Sequence, residues 1–165
     1  MGNRHEAGIE SAAAILRHPV HPVLVPLPIA AFVAAFSADV VHLFVPDPFW
    51  SLAAFWLLVA GLVTGGVAMV AGAIDFMTLP GVRSLEAAQV HAGGNLMVLT
   101  IALCNLGVRW YQPAYFARWF VLLSAATVGL LAITGWLGGA LAYKHRIGQI
   151  APRHGGTPGA GRGGV

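Results

Sequence analysis

The chain has 165 residues, of which 58% are hydrophobic and 9% are charged. Soluble globular proteins carry about 25% charged residues, so this chain has too little polar surface to coat a soluble particle. The net charge of +3 comes from few and scattered basic residues, which argues against nucleic-acid binding, and the single cysteine excludes a disulfide framework. The composition therefore predicts one integral membrane domain whose first partner is the lipid bilayer.

Four apolar segments follow one another along the chain, each close to the roughly 20 residues that a helix needs to cross a bilayer. In chain order we predict spans over about 23–45, 49–74, 88–109 and 119–143. The connections are short, so we expect neighbouring helices to run antiparallel. The predicted fold is an all-α, integral membrane, antiparallel four-helix bundle, with its transmembrane domain over residues 18–148.

The two ends of the chain differ from this domain. Residues 1–17 are predicted to be an N-terminal tail, with a short interfacial helix as the alternative. Residues 149–165 are rich in glycine and proline and are predicted to be disordered.

The basic residues predict the orientation of the bundle, because lysine and arginine near the ends of spans are retained in the cytoplasm. Up-and-down helices leave two of the nine on one side, Arg109 and Arg118. The other seven share the side of the chain termini: Arg4, Arg17, Arg83, Lys144, Arg146, Arg153 and Arg162. We therefore predict a multi-pass protein of the cell inner membrane with both termini in the cytoplasm.

Imidazole and carboxylate groups collect at the predicted cytoplasmic end of the bundle. Two histidines precede the first span, an aspartate closes the second, a histidine opens the third and another follows the fourth. These residues are His18, His21, Asp75, His91 and His145, with Asn95 one turn from His91 on the same helix face. Ionisable groups at the edge of a span tend to face the bundle interior, so we expect one shared site.

The chemistry of this set leaves three alternatives. Histidine and aspartate are ligands for zinc, iron or copper. Two imidazoles from different helices can bind haem iron from both faces. An Asp–His set can also relay protons or bind a polar group of a quinone.

Each residue of the set also has a purely structural explanation. A single histidine at a membrane boundary is often an interfacial residue, Asp75 could cap its helix or pair with Arg83, and Asn95 could bond a neighbouring helix. Taken together, the set favours a ligand site. We rank His21 and His91 as the first ligands of a haem or metal, with His18 and His145 next. Asp75 is either a metal ligand or the group that orients an imidazole, and Asn95 supports the site from beside it.

A second group of polar residues lies at the opposite end of the first span. Asp39 and His42 are spaced i, i+3, and Asp47 is nearby. We interpret Asp39 and His42 as a local pair at the outer membrane boundary. A second, outer site is the alternative.

Four motifs in order resemble a known family: HPVHPVLVPLPIAAF (18–32), AGAIDF (71–76), HAGGN (91–95) and GWLGGALAYKHRIG (135–148). Together they resemble the bacterial and archaeal four-helix membrane proteins catalogued as domain of unknown function 2231. The resemblance covers nearly the whole chain from 17 to 148. The family pattern assigns its polar positions to His18, His21, Asp75, His91 and His145. This chain has Arg146 where the family commonly has a glycine.

The resemblance implies a membrane bundle but no established activity. Some relatives are joined to a Rieske-type iron–sulfur domain, which implies electron transfer and an iron–sulfur protein as a redox partner. We therefore predict a redox membrane protein with b-type haem or a zinc, iron or copper ion. The alternative is a small transporter, a proton-handling protein or a structural subunit without a cofactor. A homo-oligomer is compatible with either hypothesis.

Overall fold

A computed structural model describes residues 14–15, 18–111 and 117–144, which are almost entirely helical. Four segments are long and apolar enough to cross a membrane: His21–Phe44, Pro48–Thr78, Glu86–Tyr111 and Trp119–Leu141. The predicted all-α, four-helix membrane fold is thereby confirmed. In chain order the elements are β1 (Ala14–Ile15), β2 (His18–Pro19), α1 (Val20–Leu24), α2 (Pro26–Phe44), α3 (Pro48–Thr78), α4 (Pro80–Arg83), α5 (Glu86–Tyr111) and α6 (Ala117–Lys144).

The chain enters the bundle through a short strand pair. Strands β1 and β2 are antiparallel, with Ala14 opposite Pro19 and Ile15 opposite His18. The rest of the segment for which we considered an interfacial helix lies outside the described residues, as does the predicted tail 149–165.

Proline divides the first span into a one-turn helix and a long helix. Pro26 has no amide hydrogen, so the helical hydrogen-bond ladder is interrupted at the junction of α1 and α2. On either side the ladder continues, since Val25 N donates to His21 O at 3.1 Å and Ile29 N donates to Val25 O at 3.4 Å. Helix α1 packs against α3, which brings His21 onto the surface of that helix.

Each long helix packs against two others, so that α2 and α5 both contact α3 and α6. The centre of the bundle is apolar and tightly packed, with a cluster of buried side chains from three of the helices. These residues are Phe32, Ala35, Leu58, Val98 and Ala102.

Apolar and polar side chains are distributed between the surface and the interior as expected for a protein that is solvated by lipid. Large aliphatic side chains such as Val63, Leu103 and Ile133 are about 60% exposed on the outside of the helices. Polar side chains are buried between the helices instead: Asp39, Asn105, Arg109, Ser124, Thr127 and Thr134. Polar groups face the bundle interior because lipid offers them no hydrogen bonds.

A glycine of α3 makes room for a buried aromatic ring in the central layer. A Cβ atom at Gly61 would lie 2.5 Å from Cε1 of Phe32, a ring that is itself only 2% exposed. Small residues at such contacts let helix backbones approach closely in a membrane. The aromatic ring of α2 therefore occupies the space that a side chain at position 61 would need.

We expect Gly61→Ala to destabilise the fold by about 1–3 kcal/mol, because the buried Phe32 ring cannot move away from an added methyl group. Gly66→Ala is the matched control, since a Cβ there meets no described atom within 4 Å. The free energy of unfolding of both variants is measured by SDS titration in mild detergent, followed by circular dichroism. Equal stability of the two variants would contradict this packing.

Candidate functional site

The imidazole of His21 is fixed on helix α3 by a main-chain carbonyl. A carbonyl oxygen can only accept a hydrogen bond, so Nδ1 of His21 donates to Ala68 O at 2.7 Å. Gly72 lies one turn further along α3, and a Cβ atom there would be 3.0 Å from the imidazole. Because a side chain at i+4 leans back over the carbonyl of residue i, glycine at this position uncovers the acceptor.

The imidazole of His91 is held in the same way on helix α6. Its Nδ1 donates to Thr134 O at 2.8 Å. Gly138 stands four residues after Thr134, and a Cβ atom there would be 2.8 Å from Cε1 of the ring. Both histidines are thus held in the same way. Each donates a hydrogen bond to a carbonyl on the neighbouring helix, and a glycine four residues later leaves that carbonyl uncovered.

The two rings lie next to each other at one end of the bundle. Their centroids are 6.3 Å apart and their planes are at 85°. Because each Nδ1 carries a hydrogen that is donated to a carbonyl, each neutral ring keeps its lone pair on Nε2. The pair therefore presents two Nε2 atoms as potential metal ligands.

Asn95 lies one helical turn after His91 on α5 and contacts both its ring and its main chain. Its Nδ2 donates to His91 O at 2.9 Å and lies 3.1 Å from Nε2 and 3.3 Å from Nδ1 of the ring. The in-plane bonding directions of the two ring nitrogens diverge, so an atom nearly equidistant from both lies over the ring face. Thr134 Oγ1 completes the group by donating to Asn95 Oδ1 at 3.2 Å.

Of the other predicted site residues, Asp75 is described in full and His18 in its main chain alone. Asp75 is half-buried on α3, three residues after Gly72 and at the same end of the bundle. His18 lies in β2 with an undescribed side chain, and His145 lies outside the described residues. Within the described parts of the chain, no group of three or more His, Cys, Asp or Glu side chains is placed to hold a metal. The ligand roles of His18, His145 and Asp75 stay predictions.

The opposite end of the bundle holds a buried ion pair. Arg109 Nη2 donates to Asp39 Oδ2 at 2.6 Å. Both residues are buried, with Arg109 6% and Asp39 4% exposed. Ser124 Oγ donates to the same carboxylate oxygen at 2.6 Å. Asn105 connects the group, since its Oδ1 accepts from Arg109 Nε at 3.0 Å and its Nδ2 donates to Ser124 Oγ at 2.9 Å.

The interpretation of Asp39 and His42 as a local pair is wrong. Asp39 pairs with Arg109 of another helix, and His42 instead contacts the main chain, with its Nδ1 3.1 Å from Asp47 O. Asp47 itself caps α3 by accepting from Phe49 N at 2.8 Å. One signal for the ion pair is present in the sequence: Asn105 and Arg109 are polar residues at i, i+4 in the mostly apolar second half of α5.

The residues of the two clusters occupy equivalent positions in the first and second halves of the chain. His21 and His91 are 70 positions apart, and so are Asp39 and Arg109. The buried positions of α2 recur at the same offset in α5, as in Phe32 and Ala102. Those of α3 recur in α6 at an offset of 66, as in Leu58 and Ser124. The bundle therefore consists of two helical hairpins with matching registers, and each cluster joins the two hairpins.

These features define a multi-pass α-helical membrane protein with a polar cluster at each end of an apolar bundle. The chain belongs to the family described as "Predicted membrane protein (DUF2231)", which it matches over residues 17–151. The resemblance that the four sequence motifs indicated is thereby confirmed. No curated protein and no solved structure matches the chain.

We expect Asp39→Asn to lower the free energy of unfolding by about 3 kcal/mol or more, because it leaves the buried Arg109 without a compensating charge. The control is Asp47→Asn, since asparagine caps a helix as well as aspartate does. Unfolding in SDS, followed by circular dichroism, gives both values.

A double variant separates lost charge compensation from lost packing. Replacing both Asp39 and Arg109 by leucine removes the pair without leaving a charge unpaired, so we expect it to be more stable than Asp39→Asn alone. A double variant that is less stable than the single one would contradict this account.

Proposed function

We propose that the protein is a redox protein of the membrane in which His21 and His91 would hold a b-type haem. The observation that carries this proposal is the shared orientation of the two imidazoles. Each Nδ1 donates to a main-chain carbonyl, at 2.7 Å and 2.8 Å, which fixes the tautomer and leaves Nε2 to bind a metal. Metal-binding histidines in proteins are commonly oriented by such a bond from their other nitrogen.

The separation of the rings allows both histidines to hold one group. A metal–nitrogen bond is about 2 Å long, so two imidazoles that would bind one metal must lie within several ångströms of each other. The ring centroids of His21 and His91 are 6.3 Å apart, which agrees with this requirement.

Two described histidines are enough for a haem. Structural zinc sites use four protein ligands and catalytic ones use three. A haem would need only two ligands from the protein, and His21 and His91 are two histidines side by side. A zinc, iron or copper site is the alternative, and it would require His18, His145 or Asp75 in addition to the pair.

The protein's own residues would orient and shield the group. Haem iron held by two histidines exchanges single electrons, with a potential set by its surroundings. The carbonyls of Ala68 and Thr134 would increase the basicity of the two imidazoles, and Asn95 lies over the face of the His91 ring. Each hairpin contributes one histidine at an equivalent position. This arrangement supports a ligand with two similar faces.

The wider setting follows from the sequence and is part of the proposal. The distribution of lysine and arginine supports an inner-membrane protein with both termini in the cytoplasm, which places the histidine pair at the cytoplasmic end. An iron–sulfur protein is the proposed redox partner. A proton-handling, transport or structural subunit without a cofactor is the competing hypothesis.

The direct test is a visible spectrum of the full-length protein, produced with adequate haem supply and purified in mild detergent. We expect a reduced b-type haem band, and at least tenfold less bound haem in His21→Ala and in His91→Ala, because each change removes one of the two histidines that would hold it. The matched control is His42→Ala, a histidine bound to a carbonyl at the other end, which should keep its haem. Metal analysis of the same samples identifies a non-haem ion.

The outcomes separate the hypotheses. Stoichiometric zinc, iron or copper without haem, lost in the same two variants, would favour the bare metal site. A folded wild-type protein with neither haem nor metal would refute the cofactor proposal and favour the competing hypothesis. Equal haem loss in all three histidine variants would show that the loss is not specific to the pair.

A second test replaces the glycine beside the His91 ring and leaves both histidines in place. Gly138→Leu is expected to displace the imidazole of His91 and to reduce bound cofactor at least tenfold, because its side chain would occupy the position of the ring. Gly139→Leu is the control, since a Cβ there meets no described atom within 4 Å. Cofactor content and circular dichroism are measured for both, and equal content would contradict the role of the glycine.

A further inference from the structure

The two histidines of the pair are carried by helices of very different length. His91 lies in α5, an uninterrupted helix of 26 residues, whereas His21 lies in α1, which has five. Isolated helices shorter than about 12 residues are marginal in water, because few hydrogen bonds compensate for the ordered backbone. The main chain of His21 is therefore held less firmly than that of His91.

Proline separates α1 from the elements on both sides of it. Pro19 ends β2, Pro26 begins α2, and Pro22 lies within α1 itself. Proline has no amide hydrogen, so each of these residues lacks a main-chain donor. Across the junction of α1 and α2, Val25 N donates to His21 O at 3.1 Å. Helix α1 can therefore turn at this junction while α2 keeps its own hydrogen bonds.

Polar side chains hold the ring of His91, whereas the equivalent positions beside the other histidine are apolar. Asn95 lies over the face of the His91 ring, and its Oδ1 accepts from Thr134 Oγ1 at 3.2 Å. The equivalent residues in the first half of the chain are Val25 and Ala68, and neither has a polar side chain. The two imidazoles therefore share one orientation but differ in how many contacts must break before they can leave.

Release of the His21 ring would open a small space on the surface of α3. A Cβ atom at Gly72 would lie 3.0 Å from the ring, so the imidazole occupies the place that a side chain at position 72 would fill. Ala68 O, which accepts from the ring at 2.7 Å, faces this space, and Asp75 lies nearly one turn after Gly72. An acceptor oxygen and a carboxylate disfavour an anion, so the space suits a small neutral molecule. Water can donate to Ala68 O once the imidazole has left.

We propose that His21 is the releasable member of the pair: α1 turns away from α3, and a small neutral ligand takes the place of the His21 imidazole while His91 stays in position. The chemical class of the ligand is a neutral molecule that binds ferrous iron, such as a diatomic gas. The ligand site rests on the haem of the proposed function, whereas the release of His21 does not. Unlike in His21→Ala, the cofactor would then keep two ligands.

The release is tested on the full-length protein without cofactor, in mild detergent, by modification with diethyl pyrocarbonate. Mass spectrometry of the peptides gives the rate for each histidine. Both residues are half-buried in the structure, so a large difference in rate reports release rather than static exposure. We expect His21 to react at least tenfold faster than His91, because only its helix can turn away from the bundle.

Two variants change the release of His21 in opposite directions. Pro26→Ala restores an amide donor at the junction, so we expect at least threefold slower modification of His21. Gly72→Ala places a methyl group against the ring, so we expect at least threefold faster modification.

Each variant has a matched control, and circular dichroism checks the fold of all four. Pro46→Ala changes an exposed proline at the other end of the bundle. Gly66→Ala adds a methyl group that meets no described atom within 4 Å. Both controls should leave the rate for His21 unchanged. If Pro26→Ala fails to fold, Gly72→Ala and its control carry the comparison.

The ligand site is tested with carbon monoxide on the reduced, haem-loaded protein. We expect a saturable change in the visible spectrum. We also expect diethyl pyrocarbonate to modify His21 at least tenfold faster with carbon monoxide than without it, while His91 stays protected. The label thereby identifies which histidine has left.

The outcomes that contradict the proposal differ from those that contradict the haem. Equal or faster modification of His91 in the protein without cofactor would overturn the release of His21. A haem-loaded protein that does not bind carbon monoxide, or that exposes His91 instead, would overturn the ligand site alone. A folded wild-type protein without haem would overturn the ligand site together with the proposed function.

Discussion

Within a bilayer no water is available to polar groups, so a buried donor or acceptor must find its partner inside the protein. This constraint accounts for most of the bundle's interior. At one end, two imidazoles are satisfied by main-chain carbonyls that glycines leave uncovered. At the other end, a carboxylate, a guanidinium, an amide and a hydroxyl form hydrogen bonds to one another. Between them, Phe32 and its neighbours form an apolar layer, which separates the polar clusters into two independent chemical environments.

The two hairpins meet this constraint with different side chains at equivalent positions. Phe32 in the first hairpin matches Ala102 in the second, and both are buried in the central layer. One large and one small residue fill the volume together, since protein interiors tolerate neither voids nor overlap. The histidines, by contrast, are the same in both hairpins. The shared residue marks the candidate cofactor site, while the differing residues make the packing of the two halves specific.

Much of this arrangement follows from the sequence alone. The lengths of the apolar runs predict the four helices, and antiparallel order predicts that His21 and His91 lie at one end. The carbonyl partners were not predictable, because they depend on the rotation of each helix about its axis. The partner of Asp39 was assigned wrongly to its neighbour His42, since sequence proximity carries no information about a contact over 70 positions. Arg109 was interpreted only as a marker of topology.

The equivalence of Asp39 and Arg109 has a consequence for how hairpins can associate. If the first hairpins of two molecules paired like-with-like, two Asp39 carboxylates would be buried against each other. Two second hairpins would likewise bury two guanidinium groups together. Both arrangements are strongly unfavourable in a low-dielectric medium. The opposite charges at these equivalent positions therefore allow a first hairpin to pack only beside a second one, and they disfavour the pairing of two identical halves from neighbouring molecules.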